Sequence, residues 1–217
     1  MKAGAAGDSS PASRLPVGGQ GAYWQPVMGW GAESSDEELM LGYRDGDAAA
    51  FDVLYARHKG GLYRYLQRQC RDAAAAEELF QDVWMNLIRA RAGYTVQARF
   101  TTYLYHLAHN RLIDHYRKNS QAAISSFEDA DGEALEDLAD ERALPPDAAH
   151  DSRQQALRLL ELLAELPEVQ REAFLLQQEG GMSIEEIAHA TGVTRETAKS
   201  RLRYAMSKLR RGMREWR

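Results

Sequence analysis

From residue 35 onward, apolar residues recur every three or four positions in separate runs, and that period predicts helices. Ser35-Asp36-Glu37-Glu38 fits a capping box, in which the Ser hydroxyl and the Glu carboxylate satisfy free N–H groups, and it opens the first helix. A second helix is expected over 47–71 and a third over 73–91. In the third, Leu79, Val83 and Leu87 repeat every four residues, and Phe80, Trp84 and Ile88 widen the apolar stripe. A polar loop over 92–99 leads into a fourth helix over 101–118, with Leu104, Leu107 and Ala108 on one face. After an interruption, runs at 152–166, 168–178, 184–191 and 195–214 also read as helices. Pro167 suits a first helical turn, and Gly180-Gly181 suits a helix stop. No period-two alternation is long enough for a strand. The predicted class is therefore all-α, with two small helical domains joined by a flexible acidic linker.

Composition narrows this picture. The 217 residues allow one domain or two small ones, at roughly 100–200 residues each. With 44% hydrophobic and 27% charged residues the composition is that of an ordinary globular protein, which excludes a wholly disordered or fibrous chain. Cys70 is the single cysteine, so no internal disulfide can form and a reducing compartment is expected. No run approaches the roughly 18 apolar residues that cross a bilayer. Residues 1–32 lack the continuous apolar segment of a secretory signal. A cytoplasmic protein with no membrane insertion is expected. Residues 1–33, rich in Gly, Ala, Ser and Pro, read as a flexible tail, in which Trp24 and Trp30 are unusual.

The formal net charge of −5 argues at first against a nucleic-acid binder. Its distribution reverses that reading. Residues 125–151 carry ten acids against Arg142 alone, whereas 195–217 carry nine bases against Glu196 and Glu215. Blocks of this kind mark linkers and interaction surfaces. Residues 119–151, in which Pro145-Pro146 interrupts any helix, form the expected acidic linker.

The basic block belongs to a recognisable local design. Ser183-Ile184-Glu185-Glu186 is a second capping box, and Ile184, Ile187 and Ala188 give the short helix a buried face. Gly192 supplies a turn with positive φ, Val193 a buried anchor and Thr194 an N-cap for the next helix. Along that helix Ala198, Leu202, Ala205 and Leu209 fall within about 60° of one another and face inward. The opposite face carries Glu196, Lys199, Ser200, Arg203, Ser207 and Arg210, with Tyr204 and Arg211 at its border. Those side chains include donors for phosphates and base edges. The pattern is that of a helix-turn-helix, whose second helix enters the DNA major groove.

The run Leu166-Pro167, Arg171, Phe174-Leu175-Leu176, Gly181-Met182-Ser183, Glu186-Ile187-Ala188, Gly192, Thr197 and Lys199-Ser200-Arg201-Leu202 resembles the fourth conserved domain of bacterial RNA polymerase sigma factors of the extracytoplasmic-function (ECF) group. Ala76-Glu77-Glu78-Leu79-Phe80-Gln81-Asp82-Val83-Trp84 is similar to the helix of the second conserved domain that docks on polymerase. The run from Tyr103 through Asn110 to Asp114 is similar to the promoter-melting helix. The resemblance covers about 35–211 and implies the following. Residues 34–118 bind core polymerase and the −10 element, 119–151 form the linker, and 152–217 bind the −35 element. Lys199, Ser200, Arg203 and Tyr204 take the groove-reading positions, with Thr194, Arg195 and Arg201 beside them toward phosphates. Glu78, Gln81, Asp82 and Asn86 face the clamp helices of the β′ subunit, and the β flap is a second polymerase contact. The loop from Tyr94 to Arg99 forms the pocket for a flipped −10 base. Tyr103, Asn110, Arg111, Arg117 and Lys118 line the separated strand. The implied partners are core RNA polymerase, promoter DNA and an anti-sigma factor.

Departures from the family pattern are also legible. Tyr103 stands where Trp is common, His106 and His109 where Arg is common, and Ala198 where Val is common. His106, His109 and His115 have no companion Cys and no second liganding pair, so no metal or cofactor is expected. The acids of the linker either solvate a spacer or imitate a nucleic-acid backbone toward basic channels of the polymerase. No phosphate loop or nucleophile–base set points to an enzyme. The rival reading is a stand-alone helix-turn-helix regulator that binds operator DNA; the polar pattern from Glu78 to Asn86 speaks against it.

Overall fold

The computed structural model describes residues 29–31, 33–70, 72–123 and 146–216, and all the regular structure among them is helical. The first half comprises α1 (Asp36–Arg44), α2 (Ala48–Gln69), α3 (Ala73–Ala90), a 3-10 turn (Arg91–Gly93) and α4 (Phe100–Ala123). The second comprises α5 (Pro146–Ala164), α6 (Glu168–Gly180), α7 (Ile184–Thr191) and α8 (Arg195–Glu215). Residues 124–145, and with them most of the acidic linker, lie outside the described residues, as does Trp24.

Side chains set most of the helix starts. The Ser35 hydroxyl accepts from the Glu38 N–H at 3.3 Å while Glu38 accepts from the Ser35 N–H at 2.9 Å. Asp47 caps α2 through Ala49, and Asp72 caps α3 through Ala74 and Ala75. At α7 the Ser183–Glu186 capping box closes in the same reciprocal way. Gly192 ends α7 with φ of 65°, a left-handed conformation that a side chain would strain. Two helices are longer than their apolar pattern predicts: α4 runs to Ala123, and α5 begins at Pro146. Proline at a first helical position loses no bond, because the N–H it lacks has no intrahelical partner there.

In the first half Leu39, Leu54, Leu62, Leu66, Val83, Leu87 and Leu104 are fully buried. Phe51, Tyr55, Phe80 and Trp84 form an aromatic cluster beside them, with the Tyr55 and Trp84 ring centroids 5.0 Å apart. In the second half α6 packs on α8, with Leu175 and Leu176 of α6 buried and with Ala198, Leu202, Ala205 and Leu209 of α8 buried along the face that spacing predicts. Gly212 lets α5 approach α8 closely: a Cβ there would stand 2.4 Å from Leu162. The two halves also touch, α6 against α2 and α7 against α4.

Removing the α7 cap tests how far that short helix depends on it. Ser183→Ala should cost about 0.5–2 kcal/mol of stability, read as a lower midpoint in chemical denaturation.

Candidate nucleic-acid interface

The turn at Gly192 sets α8 across α7. The Gly192 N–H reaches the end of α7, and the Val193 N–H donates to Ala188 O at 3.0 Å. Thr194 caps α8, its hydroxyl accepting from the Thr197 N–H at 3.2 Å. Because its inward stripe is buried, α8 presents Lys199, Arg203 and Tyr204 to solvent, with Ser200 and Arg201 half-exposed at the flank. Lys199 and Arg203 stand one turn apart, about 6 Å along the axis. The Arg203 guanidinium lies over the Tyr204 ring, 5.1 Å from its centroid, and both residues are exposed. Arg195 is already paired with Glu185 and Glu196, and that contact holds the Glu185 carboxyl below its ordinary range.

The loop after the 3-10 turn borders a cavity of about 480 Å³, lined by Gly93, Tyr94, Thr95, Gln97, Ala98, Tyr103, His106 and others. Thr95, Val96, Gln97 and Arg99 are exposed. Tyr94 is not an open stacking surface. It is buried against Tyr103, with ring centroids 5.3 Å apart, and burial pushes its phenol up to about 12. Further along α4, Tyr103 is half-buried, Asn110, Arg117 and Lys118 are exposed, and Arg111 sits 3.4 Å from Asp114. On α3, Glu78, Gln81 and Asp82 are exposed and Asn86 is half-exposed, opposite the buried Leu79, Val83 and Leu87. The structure therefore places the expected residues on three separate surfaces: α8, the α3 face, and the loop with α4.

Spacing gave no warning of how the second half lies over α4. Glu172 of α6 is almost fully buried; its Oε1 accepts from Tyr65 Oη at 2.9 Å and lies 2.7 Å from His109 Nδ1. Burial and that neighbouring carboxylate push the Tyr65 phenol well above its ordinary range. Arg171 donates to Gln69 Oε1 at 3.1 Å. Glu179 pairs with Arg64 at 2.9 Å and with Arg68. On α7, Glu186 lies 3.5 Å from Arg99, and Thr102 donates to it at 3.4 Å. His106 Nδ1 stands 2.9 Å from Ala190 O, and His189 completes the cavity lining. Thr102, His106 and His109 of α4 are thus held by carboxylates and a carbonyl of the second half. These partners lie 63 to 115 residues apart in sequence, beyond the reach of any local periodicity.

A helical body with an exposed polar docking face, followed by a helix-turn-helix with a basic outer face, defines a two-domain transcription factor. Family comparison agrees: residues 54–122 match sigma-70 region 2, and residues 156–209 match sigma-70 region 4. The chain is 34% identical over 171 residues to the RNA polymerase sigma factor CarQ of Myxococcus xanthus, covering 77% of this chain and 91% of that one. It is 28% identical over 188 residues to the ECF sigma factor SigM of Mycobacterium tuberculosis, covering 86% and 89%. The fold resembles the sigma factor RpoE solved with the anti-sigma factor NepR from Bartonella quintana, with a TM-score of 0.63, 20% identity, and 76% and 96% coverage. It also resembles CnrH solved with the cytosolic domain of CnrY, with a TM-score of 0.57, 21% identity, and 81% and 95% coverage. The chain belongs to the ECF group of RNA polymerase sigma factors.

Cys70 reports on the contact between the halves. It is buried close to Arg171, and burial raises its thiol to about 11. Thiolate is the reactive form, so a disulfide reagent at pH 8 should label the folded protein slowly. Arg171→Ala should speed that labelling several-fold.

Proposed function

We propose that the two halves divide promoter recognition between them. Residues 152–217 read the −35 duplex through Lys199, Ser200, Arg203 and Tyr204, with Thr194, Arg195 and Arg201 along the phosphates. Residues 34–118 dock on the β′ clamp helices through Glu78, Gln81, Asp82 and Asn86, and the loop 94–99 with α4 takes the melted −10 strand. The observation that carries this reading is the outer face of α8, basic and exposed directly opposite its buried stripe, in a chain that matches both sigma regions in order. The protein directs initiation and leaves the chemistry to the polymerase, and it works in the cytoplasm. Among the described residues, no helix is long and apolar enough to cross a membrane. An anti-sigma factor belongs to the same reading as a regulatory partner. A stand-alone operator-binding regulator is not favoured, because it has no use for a sigma region 2.

The two promoter elements are centred about 25 base pairs apart, roughly 85 Å at 3.4 Å per step. Packed helices lie about 8–10 Å apart. In this reading α7 must leave α4 before both elements are engaged at once, and Arg99, His106 and His109 are then released toward the strand.

Transcription reconstituted with core polymerase tests these roles. Arg203→Ala should cost roughly 1–3 kcal/mol in discrimination at one −35 base pair, with little change at −10. Asp82→Arg should abolish promoter-specific RNA by weakening core binding, while duplex binding through α8 persists. Unaltered −35 preference in the first variant would place the reading face elsewhere.

A further inference from the structure

Promoter reading leaves Trp30 and α1 without a task, yet both are built firmly into the first half. The Trp30 indole N–H donates to Asp47 Oδ2 at 2.6 Å, while the other oxygen of that carboxylate caps α2. Gly42 makes the seat, since a Cβ there would stand 2.4 Å from the indole ring. Arg57 fastens the following turn: it donates to Gly31 O and Ser34 O, each at 2.8 Å, and pairs with Asp36 at 2.8 Å. The segment ahead of α1 is thus anchored at two points to α2.

From that anchorage α1 reaches both ends of the loop 94–99. Arg44 Nη1 donates to Tyr94 O at 3.3 Å, where the loop begins. Glu37 Oε1 accepts from the Phe100 N–H at 2.6 Å, where the loop ends and α4 starts. Glu37 and Arg44 are two turns apart on one helical face, about 10.5 Å along the axis. The Glu37 carboxylate satisfies a first-turn N–H of α4, a place where helix geometry and dipole both favour an anion. Neither side chain lines the cavity. Between the two tethers Thr95, Gln97 and Arg99 stay exposed. The loop is held at its ends and open at its tip.

We infer that Glu37 and Arg44 are positioning residues for capture of the −10 base, and that the Trp30 anchor holds the helix that carries them. The inference rests on the reading of loop 94–99 as the base-capturing pocket. A loop fixed at both ends has less freedom to lose when a base enters, so the pocket discriminates among bases more sharply. Release of either tether lets the loop sample other shapes, and the four bases then fit more nearly alike.

The test uses the full chain with core polymerase on a promoter carrying each of the four bases at the captured position. A parallel template carries 2-aminopurine there, whose fluorescence reports unstacking. The wild-type chain should prefer one base and give the fluorescence rise. Glu37→Ala should slow open-complex formation about tenfold, the scale of one lost charge-assisted bond, and should flatten the base preference. Glu37→Gln keeps an acceptor and should recover most of both. Trp30→Phe, which keeps the ring and loses the N–H, should shift both readouts in the same direction by less. Core binding and −35 preference should not move in any of them. A Glu37→Ala chain with full base preference and a normal fluorescence rise overturns the inference, whatever its total RNA output. If that variant loses helical signal, Arg44→Met carries the same test from the other end of the loop. A wild-type chain with promoter-specific RNA but no preference at this base overturns the inference alone. A wild-type chain with no promoter-specific RNA overturns the promoter reading as well.

Discussion

One carboxylate sits where the two halves of the molecule meet. Glu172 is nearly buried and is held by the Tyr65 hydroxyl and the His109 ring. A buried charge is tolerated only with such partners, and removing one member of a buried pair costs about 3–5 kcal/mol. Around it, Arg171 meets Gln69, and Glu179 meets Arg64 and Arg68, so polar links cross this contact beside the apolar core that the two halves share. Those polar links are specific while closed, and the groups that make them are readily solvated once open. That is the character of contacts between domains that move. The position of α7 on α4, the approach of Glu186 to Arg99 and the lining of the cavity by His189 all follow from this closure.

The same polar chemistry explains how the protein remains compact without losing its DNA face. Closure uses α6 and α7, whereas α8 turns its apolar stripe to α6 and its basic side to solvent. The outer face of α8 therefore stays exposed in the closed form, while α6 and α7 cover part of α4 and leave the tip of the loop 94–99 open. In the proposed reading, Glu186 beside Arg99 and Glu172 beside His109 occupy positions that phosphates would contest. On that reading, core polymerase and promoter DNA supply the competing interactions. The net negative charge of the chain works in the same direction, since it disfavours loose binding of the free protein to DNA.

Much of this was legible in the chain. Helix starts at Ser35, Ser183 and Thr194 were, because these residues cap through bonds made within three residues. The buried stripe of α8 and the turn at Gly192 were too, since both are local consequences of a period and a positive φ. Groups joined across long separations were not legible. Arg171 stands out in the chain only as part of the family run, and Glu172 and Glu179 do not stand out; their partners on α2 and α4 are what give them a role. Tyr94 fell inside a polar loop, so nothing marked it as buried. Trp30 stood in a low-complexity segment, and its seat exists because Gly42, twelve residues on, has no side chain.

The central claim is a closed molecule that must open to engage a promoter. Its most direct test is the distance between a donor dye on α2 at Ala56 and an acceptor on α5 at Ala164, both exposed, in a chain with Cys70 replaced. The free protein should show one short distance, and the complex with core polymerase and promoter DNA should lengthen it by tens of ångströms, the scale set by the roughly 85 Å between the two elements. A free protein already extended, or a distance that does not change on promoter binding, would contradict the account.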